Sequence, residues 1–557
     1  MMISLLSFFV AANYAHSFAL PSIGFHSIKS WDDVSEPPDK AGRRYGPNWS
    51  VDDNLEPKAT PGQTGAMVWS IPFNSSYVYP EMRPDLPVGK LLRSRPNLGI
   101  CMSGGGMRAA TCALGWYRAL NHLNLLQKAR FLSGNSGATW TSLPLTCRSL
   151  LQKKELGTDI DLDEYLGKYE GKYDDIIVEE RSIIGKNLVE ANMLDPKVNG
   201  TISGFNAWST AVDKNTKEFI SIENTLLYSG VPVDPRKLNK ESYDFGGGFI
   251  QGVALNAESL EDEVPVPVDD DTLFLKDFKN PNPVAKIAQL TSASSNVAAY
   301  GDAILKIDLQ NSTWRRLFYS IAKIAQGELR RNDLRDYLNP GKFKWWSPTT
   351  GGAPVDLNFV DGAMFDNLGV MALLRRRCST IILCNAADTD VMDVIKPKVL
   401  SQKYGDLASL FGRGKSIIPE SLAKKGYKDT LNERSQVFAY EELDSLMDEM
   451  RALRKQGKPL VVRKKLQVIP NPLAGVYESY EVDMIFCFNG VVDEFCKSEE
   501  SGGFFKGFFG KKDNFPYIDT VKCDYTSEEV AKLASLSSYS LVEGLKNVGF
   551  DIEQVGN

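Results

Sequence analysis

From Asn97 onward the chain alternates short apolar runs with stretches of helical spacing. LGICMS is an apolar run bounded by Pro96 and a triple glycine, as a buried strand would be. GMRAATCALGWYRALNHLNLL then repeats its apolar positions at three and four residues, which predicts a helix. ARFLS reads as a second strand, and GATWTSLPL can open a second helix. Far downstream VDLNFV, DGAMFDNLGVMALLRRR and CSTIILCNAADTD repeat the order strand, turn, helix, strand. Such alternation predicts an α/β fold with a mixed, mainly parallel central sheet and flanking helices. Its chemistry is expected at the carboxyl ends of the strands. No internal repeat is visible.

The chain before Asn97 reads differently. Residues 1–25 carry an apolar run of signal-peptide length, too short to span a bilayer, which predicts a targeting segment and entry to the secretory pathway. A buried N-terminal helix or strand is the bland alternative. SFALP also resembles the junction of plastid presequences in algae with complex plastids, and a cytoplasmic protein bound peripherally to membranes is a third outcome. Four N-x-S/T sequons, at Asn48, Asn74, Asn199 and Asn311, match the roughly four that chance supplies and decide nothing. Residues 26–95, rich in Pro, Gly, Asp and Lys, predict an extended arm lying on the body. The remainder, 96–557, is expected to be the main domain.

Composition narrows the function. A hydrophobic fraction of 43% with 10% aromatics belongs to an ordinary globular chain, and a net charge of −6 offers no field for neutralising nucleic-acid phosphates. The eight cysteines form no C-x-x-C pair and the three histidines stand at 16, 26 and 122, so neither a structural zinc site nor any other metal site is expected. No run of about 18 apolar residues predicts a spanning helix.

Two glycine-bearing turns carry candidate chemistry. Gly104, Gly105, Gly106 and Ala109 fit the dinucleotide fingerprint in spacing, yet there is no acidic residue between Asp85 and Glu155 to hold a ribose, and no G-K-[ST] for a phosphate loop. What remains is a turn whose backbone N–H groups, at a helix N-terminus, suit an anion or a developing oxyanion; no cofactor is called for. Arg108, in the helix's first turn, adds a positive charge there, unless it is simply a surface residue of the helix. In FLSGNSGATW, small neighbours let Ser136 project from a sharp strand-to-helix turn as a nucleophile would, although a chance serine turn has the same spelling. No histidine follows Ser136, which excludes a triad in the order Ser, Asp, His; if Ser136 reacts, a carboxylate or lysine takes its proton.

SGGGMRA, SGNSGATW and VDGAMFDNLG, in that order, resemble the catalytic region of group IV cytosolic phospholipase A2 and its patatin-like relatives. FPYIDTVKCDYTSEEVAKLASLSSYSLVEGL resembles the closing segment of that region. The resemblance runs from about Asn97 to the late 540s and implies a Ser-Asp dyad without histidine. Ser136 would be the nucleophile, Asp361 the base, Gly105 and Gly106 the oxyanion hole, and Arg108 the holder of a substrate phosphate. Asp361 also follows an apolar strand, where a carboxylate can meet the serine turn; burial must then raise its pKa, or the serine's must fall, for it to act as a base. Asp356, Asp366, Asp388 and Asp390 compete for the role, with Asp366 and Asn367 expected to cap the following helix. No calcium-binding targeting domain fits before the core, so calcium dependence is not expected.

The implied activity is a serine lipid acyl hydrolase of phospholipase A2 or lysophospholipase type. The alternatives are a hydrolase for neutral lipids, galactolipids or soluble esters, and an inactive lipid-binding relative. Residues of about 150–290, mixing charged, glycine-rich and acidic stretches, are expected to form a cap over the site rather than sheet strands. SGGFFKGFFGKKDNF places Phe504, Phe505, Phe508 and Phe509 among lysines on a glycine-flexed loop, which suits insertion at a membrane surface; two hydrophobic turns folded under the body would read the same.

Overall fold

The computed structural model describes residues 63–69, 71, 78–84, 87–146, 161–171, 180–189, 205–212, 219–225, 228–233, 247–251, 267–269, 272–276, 342–345, 355–394, 400, 404–414, 431–496, 514–520, 522 and 525–556. The targeting segment, most of the arm and the phenylalanine-rich loop lie outside the described residues. So do LTSASSNVAAYG and all residues from 277 to 341.

The strands are β1 (Gln63–Trp69), β2 (Leu98–Met102), β3 (Phe131–Asn135), β4 (Phe205–Val212), β5 (Phe219–Thr225), β6 (Tyr228–Val231) and β7 (Gly248–Gln251). They continue with β8 (Pro267–Asp269), β9 (Thr272–Lys276), β10 (Lys342–Trp345), β11 (Val355–Asp361), β12 (Thr380–Asn385), β13 (Leu460–Gln467) and β14 (Glu481–Phe488). Among the described residues they form one mixed sheet in the order β13-β14-β12-β2-β3-β4-β5-β6-β7-β1-β9-β8, with β11 on β4 and β10 on β11. The centre of the sheet, from β14 through β12, β2 and β3 to β4, is parallel throughout. Antiparallel strands extend it on both sides.

The central strands read as unbroken apolar runs because helices cover both faces. Ile381 and Leu383 of β12, with Met484 and Phe486 of β14, point into one core, while Ile382, Cys384, Ile485 and Cys487 point into the other. The second core is dominated by two long helices, α1 (Gly106–His122) and the C-terminal α7 (Ser527–Asn547). Thr526 and Glu529 start α7 with reciprocal side-chain to backbone bonds, a capping box. The two helices cross at close range: a Cβ on Gly115 would stand 2.1 Å from the Ala534 carbonyl oxygen. The short α3 (Ala363–Asp366) follows β11, and on the other face lie α4 (Met371–Arg375), α5 (Gly405–Ser409) and α6 (Glu442–Lys455), the last burying Leu443, Leu446, Met447 and Met450.

Two expectations change. Residues 205–251 supply β4 to β7 of the main sheet, so this part of the expected cap is scaffold. Its Ser- and Thr-containing strands lack the long apolar runs by which a doubly covered strand is recognised. The arm is also more than a surface strap, since β1 pairs with β7 and β9 and Tyr79 and Glu81 are buried. Glu81 reaches Arg376 at 2.6 Å, and Arg376 also binds Glu223 and the Tyr228 hydroxyl, with its guanidinium 4.1 Å from the centre of the Tyr79 ring. Two carboxylates and the guanidinium pair of Arg375 and Arg376 balance their charges in this buried cluster. No helix among the described residues is long and apolar enough to cross a membrane.

Candidate active site

The sheet register explains why two residues 225 positions apart can meet. β3 runs parallel to β4 and ends with Asn135 opposite Trp208. β11 runs antiparallel along the same edge of β4 and ends with Asp361 opposite Ser209. The carboxyl ends of β3 and β11 therefore abut, one register step apart. From that junction the Ser136 hydroxyl donates to Asp361 Oδ2 at 2.7 Å.

Ser136 follows β3 directly and opens a single 3-10 turn, Ser136–Ala138, which leads into α2 (Thr139–Thr146). Its φ of 47° lies in the left-handed region, where a non-glycine residue is held only by its surroundings. Gly137 is required next to it, because a Cβ there would stand 2.1 Å from the Gly106 carbonyl oxygen. The serine turn and the glycine turn are thus packed backbone to backbone. Gly105 and Gly106 take φ of 136° and 60°, and Gly106 is the first residue of α1. Their amides belong to the orphan donors of a helix N-terminus, and the Gly106 nitrogen lies against Gly137, the residue after Ser136.

Asp361 is 3% exposed, and Ser136 6%. Burial raises the Asp361 pKa to about 6, against the opposing pull of hydrogen bonds from the Ala363 amide, at 2.9 Å to Oδ1, from Ser136 and from Asn135. Desolvation penalises the charged form, so this carboxylate is a stronger base than an exposed one. No histidine shares the site among the described residues: His122 ends α1, about 24 Å of helix away from the glycine turn, and packs on Tyr169.

Arg108 is 3% exposed, which removes the surface reading. Its Nε donates to the Ala386 carbonyl at 3.0 Å and its Nη1 to that of Ile518, while Nη2 lies against Gly105. The guanidinium thus ties the end of β12 and the segment 514–520 to the glycine turn, and keeps its charge beside that turn.

Three of the competing carboxylates have other partners. Asp366 accepts from the Met371 amide at 2.7 Å at the start of α4, the expected capping role, and Asp390 pairs with Arg454 at 2.9 Å. Asp388 accepts from its neighbour Thr389. The side chain of Asp356 lies outside the described residues. Asn367 is no cap: its Nδ2 donates to Asp406 at 2.7 Å, its Oδ1 accepts from Asn135 at 3.2 Å, and its backbone carbonyl accepts from the Gly104 amide at 2.9 Å. Asn135, Asn367 and Asp406 were not singled out as site residues in the sequence. Asn135 and Asn367 sit inside the quoted motifs, whereas nothing in the spelling around Asp406 points to the site. Among the described residues no group of three His, Cys, Asp or Glu could hold a metal ion.

No protein-family model matches the chain. Over 76 residues, 13% of this chain and 12% of the relative, it is 30% identical to a Saccharomyces cerevisiae protein described as "Putative meiotic phospholipase SPO1". Among solved structures it is similar to human GIVD cytosolic phospholipase A2, with a TM-score of 0.40 and 15% identity over 84% of this chain and 61% of that one. The same human protein in complex with methyl gamma-linolenyl fluorophosphonate and terbium chloride gives 0.37 and 16%, over 84% and 60%. The chain thus spans about three fifths of the length of these solved structures.

Proposed function

We propose that the protein is a serine hydrolase of lipid acyl esters that works with a Ser136–Asp361 dyad. The observation that carries the reading is the 2.7 Å hydrogen bond from a serine on a strained turn to a buried, basic aspartate, beside the N-terminus of a long helix. In the proposed reaction Ser136 Oγ attacks the ester carbonyl as its proton passes to Asp361 Oδ2. The amides of Gly105 and Gly106 receive the negative charge on the carbonyl oxygen, each donor being worth about 3–4 kcal/mol in such a role. Collapse breaks the ester bond, and the departing alcohol takes the proton from Asp361. Water, losing a proton to the same carboxylate, then attacks the acyl-serine carbonyl, and Asp361 returns that proton to Ser136 Oγ as the acid departs.

Glycerophospholipid is the favoured substrate class. The motifs around Ser136 and Asp361 resemble those of phospholipases, and the short stretch of identity to a protein named as one points the same way. Arg108 keeps a buried positive charge next to the glycine turn, where a substrate phosphate could be met as well as the oxyanion. The proposed setting is a membrane surface, reached through Phe504, Phe505, Phe508 and Phe509, with no cofactor. A secretory route is proposed for the chain.

The deciding experiment is labelling with a fluorophosphonate probe, followed by product analysis from vesicles that contain phospholipid, galactolipid and triacylglycerol. Wild type is expected to label at Ser136 and to release fatty acid from phospholipid, and Ser136→Ala to do neither. Equal turnover by Ser136→Ala would overturn the reading, and release from galactolipid or triacylglycerol alone would reassign the substrate.

A further inference from the structure

Beyond the two reacting groups runs a chain of side chains that ends on a second carboxylate. We propose that Asp406 is a positioning residue for the dyad: by accepting from Asn367 it sets the amide orientation of Asn367 and, through it, of Asn135, so that Asn135 presents its NH2 group to Asp361. This rests on the dyad reading given above.

The argument is one of donor and acceptor parity. An ionised carboxylate only accepts hydrogen bonds, so Asn367 must turn its NH2 towards Asp406, which it does at 2.7 Å. The Asn367 carbonyl oxygen is thereby directed at Asn135, which must offer its own NH2 in return, at 3.2 Å. Asn135 is also the residue immediately before Ser136, and its side chain helps to hold the Asp361 carboxyl down against the effect of burial. Asn135 does not choose this orientation for its own sake, since its Oδ1 is buried without a hydrogen-bond partner among the described residues. The two flanking acceptors impose it.

Asp406 is well placed to act as the fixed end. It belongs to α5, whose Leu407 and Ala408 are buried in the core and whose preceding Tyr404 donates to the Thr389 carbonyl at 2.6 Å. Asn367 adds a second output, because its backbone carbonyl holds the Gly104 amide at 2.9 Å. One residue therefore spaces the glycine turn from the nucleophile strand and passes on the orientation set by Asp406. The charged groups that bear on Asp406 are Asp366 and Asp388, and Asp406 in turn is the charged group that bears on Asp361.

The test compares Asp406→Ala, which removes the acceptor, with Asp406→Asn, which keeps an acceptor oxygen and loses only the charge. Asp406→Ala is expected to lower kcat about tenfold with KM nearly unchanged, and Asn367→Leu to do the same. The Asp406→Ala/Asn367→Leu double variant should be no worse, and Asp406→Asn should recover turnover to within about threefold of wild type. Isotope-edited infrared spectra, each against an Asp361→Asn control, read the titration of Asp361 without any substrate. Its midpoint should fall in Asp406→Asn, where a neighbouring negative charge is lost, and lie higher in Asp406→Ala, where the Asn135 donor is lost as well. Equal turnover and equal midpoints in the Ala and Asn variants would overturn the proposal. A wild type with no hydrolysis would instead count against the dyad reading, while the order of the infrared midpoints would still decide the role of Asp406.

Discussion

At Asp361 two requirements oppose each other, since burial makes the carboxylate a useful base and also makes it costly to ionise. A carboxyl raised from 3.8 to about 6 penalises the folded state by about 3 kcal/mol at neutral pH. Because the folded pKa is the higher one, the folded state binds the extra proton between those two values, and stability rises as pH falls through that window. Asp361→Asn should accordingly be more stable than wild type at pH 8, by about 1–3 kcal/mol, with the gain gone near pH 4. Urea denaturation at both pH values measures this. Hydrolysis should follow the deprotonated form, declining below pH 6 in wild type. At Arg108 a loss of function is expected to come with a loss of fold. Two carbonyls would lose their buried donor in Arg108→Ala, so its melting temperature should drop together with phospholipid turnover.

Among the elements, α1 does two jobs at its two ends of influence. Its N-terminus supplies the glycine turn, and its middle, at Gly115, lets α7 approach until the backbones touch. Gly115→Val would drive a side chain into the Ala534 carbonyl, with an expected cost of about 1–3 kcal/mol. Thermal melting should show that loss while the intrinsic reactivity of Ser136 with a small fluorophosphonate, measured below the transition, stays near wild type. A large drop in labelling at low temperature would mean that α7 also sets the geometry of the glycine turn. The strands were legible where both faces are covered, as in LGICM and TIILCN, and poorly legible in β4 to β7. There each side chain pair depends on its cross-strand neighbour, a property that a single strand's spelling does not carry.

For the molecule as a whole, the buried cluster of Glu81, Glu223, Arg375 and Arg376 fastens the chain before β2 to the sheet and to α4. Arg376→Met would leave Glu81 and Glu223 short of a partner inside the protein, at an expected cost of about 3–5 kcal/mol, which denaturant unfolding would detect. How the molecule meets its substrate is a separate matter. Full burial of a phenylalanine contributes about 1.5–3 kcal/mol, so a few partly inserted rings give weak and reversible docking. Changing Phe504, Phe505, Phe508 and Phe509 to Ser is expected to lower vesicle binding about tenfold or more and to spare turnover of a monomeric ester. A lower melting temperature in that variant would instead assign the four rings to the core.

The order of elements around Ser136 and the glycine turn before α1 were written locally, in short stretches, and the lack of a histidine after Ser136 is a property of the sequence as a whole. Steric demands on a turn and the period of a buried strand act over that range, so the sequence alone carries them. Which carboxylate faces Ser136 was only suggested by VDGAMFDNLG. It was decided by β4, along which the ends of β3 and β11 are brought to within one register step. The same holds for Arg108, whose burial depends on carbonyls contributed by Ala386 and Ile518, and for Asp406, tied through Asn367 to Asn135, the residue before Ser136. Hydrogen-bond partners and desolvation are properties of the space around a group, and that space exists only once distant segments have packed.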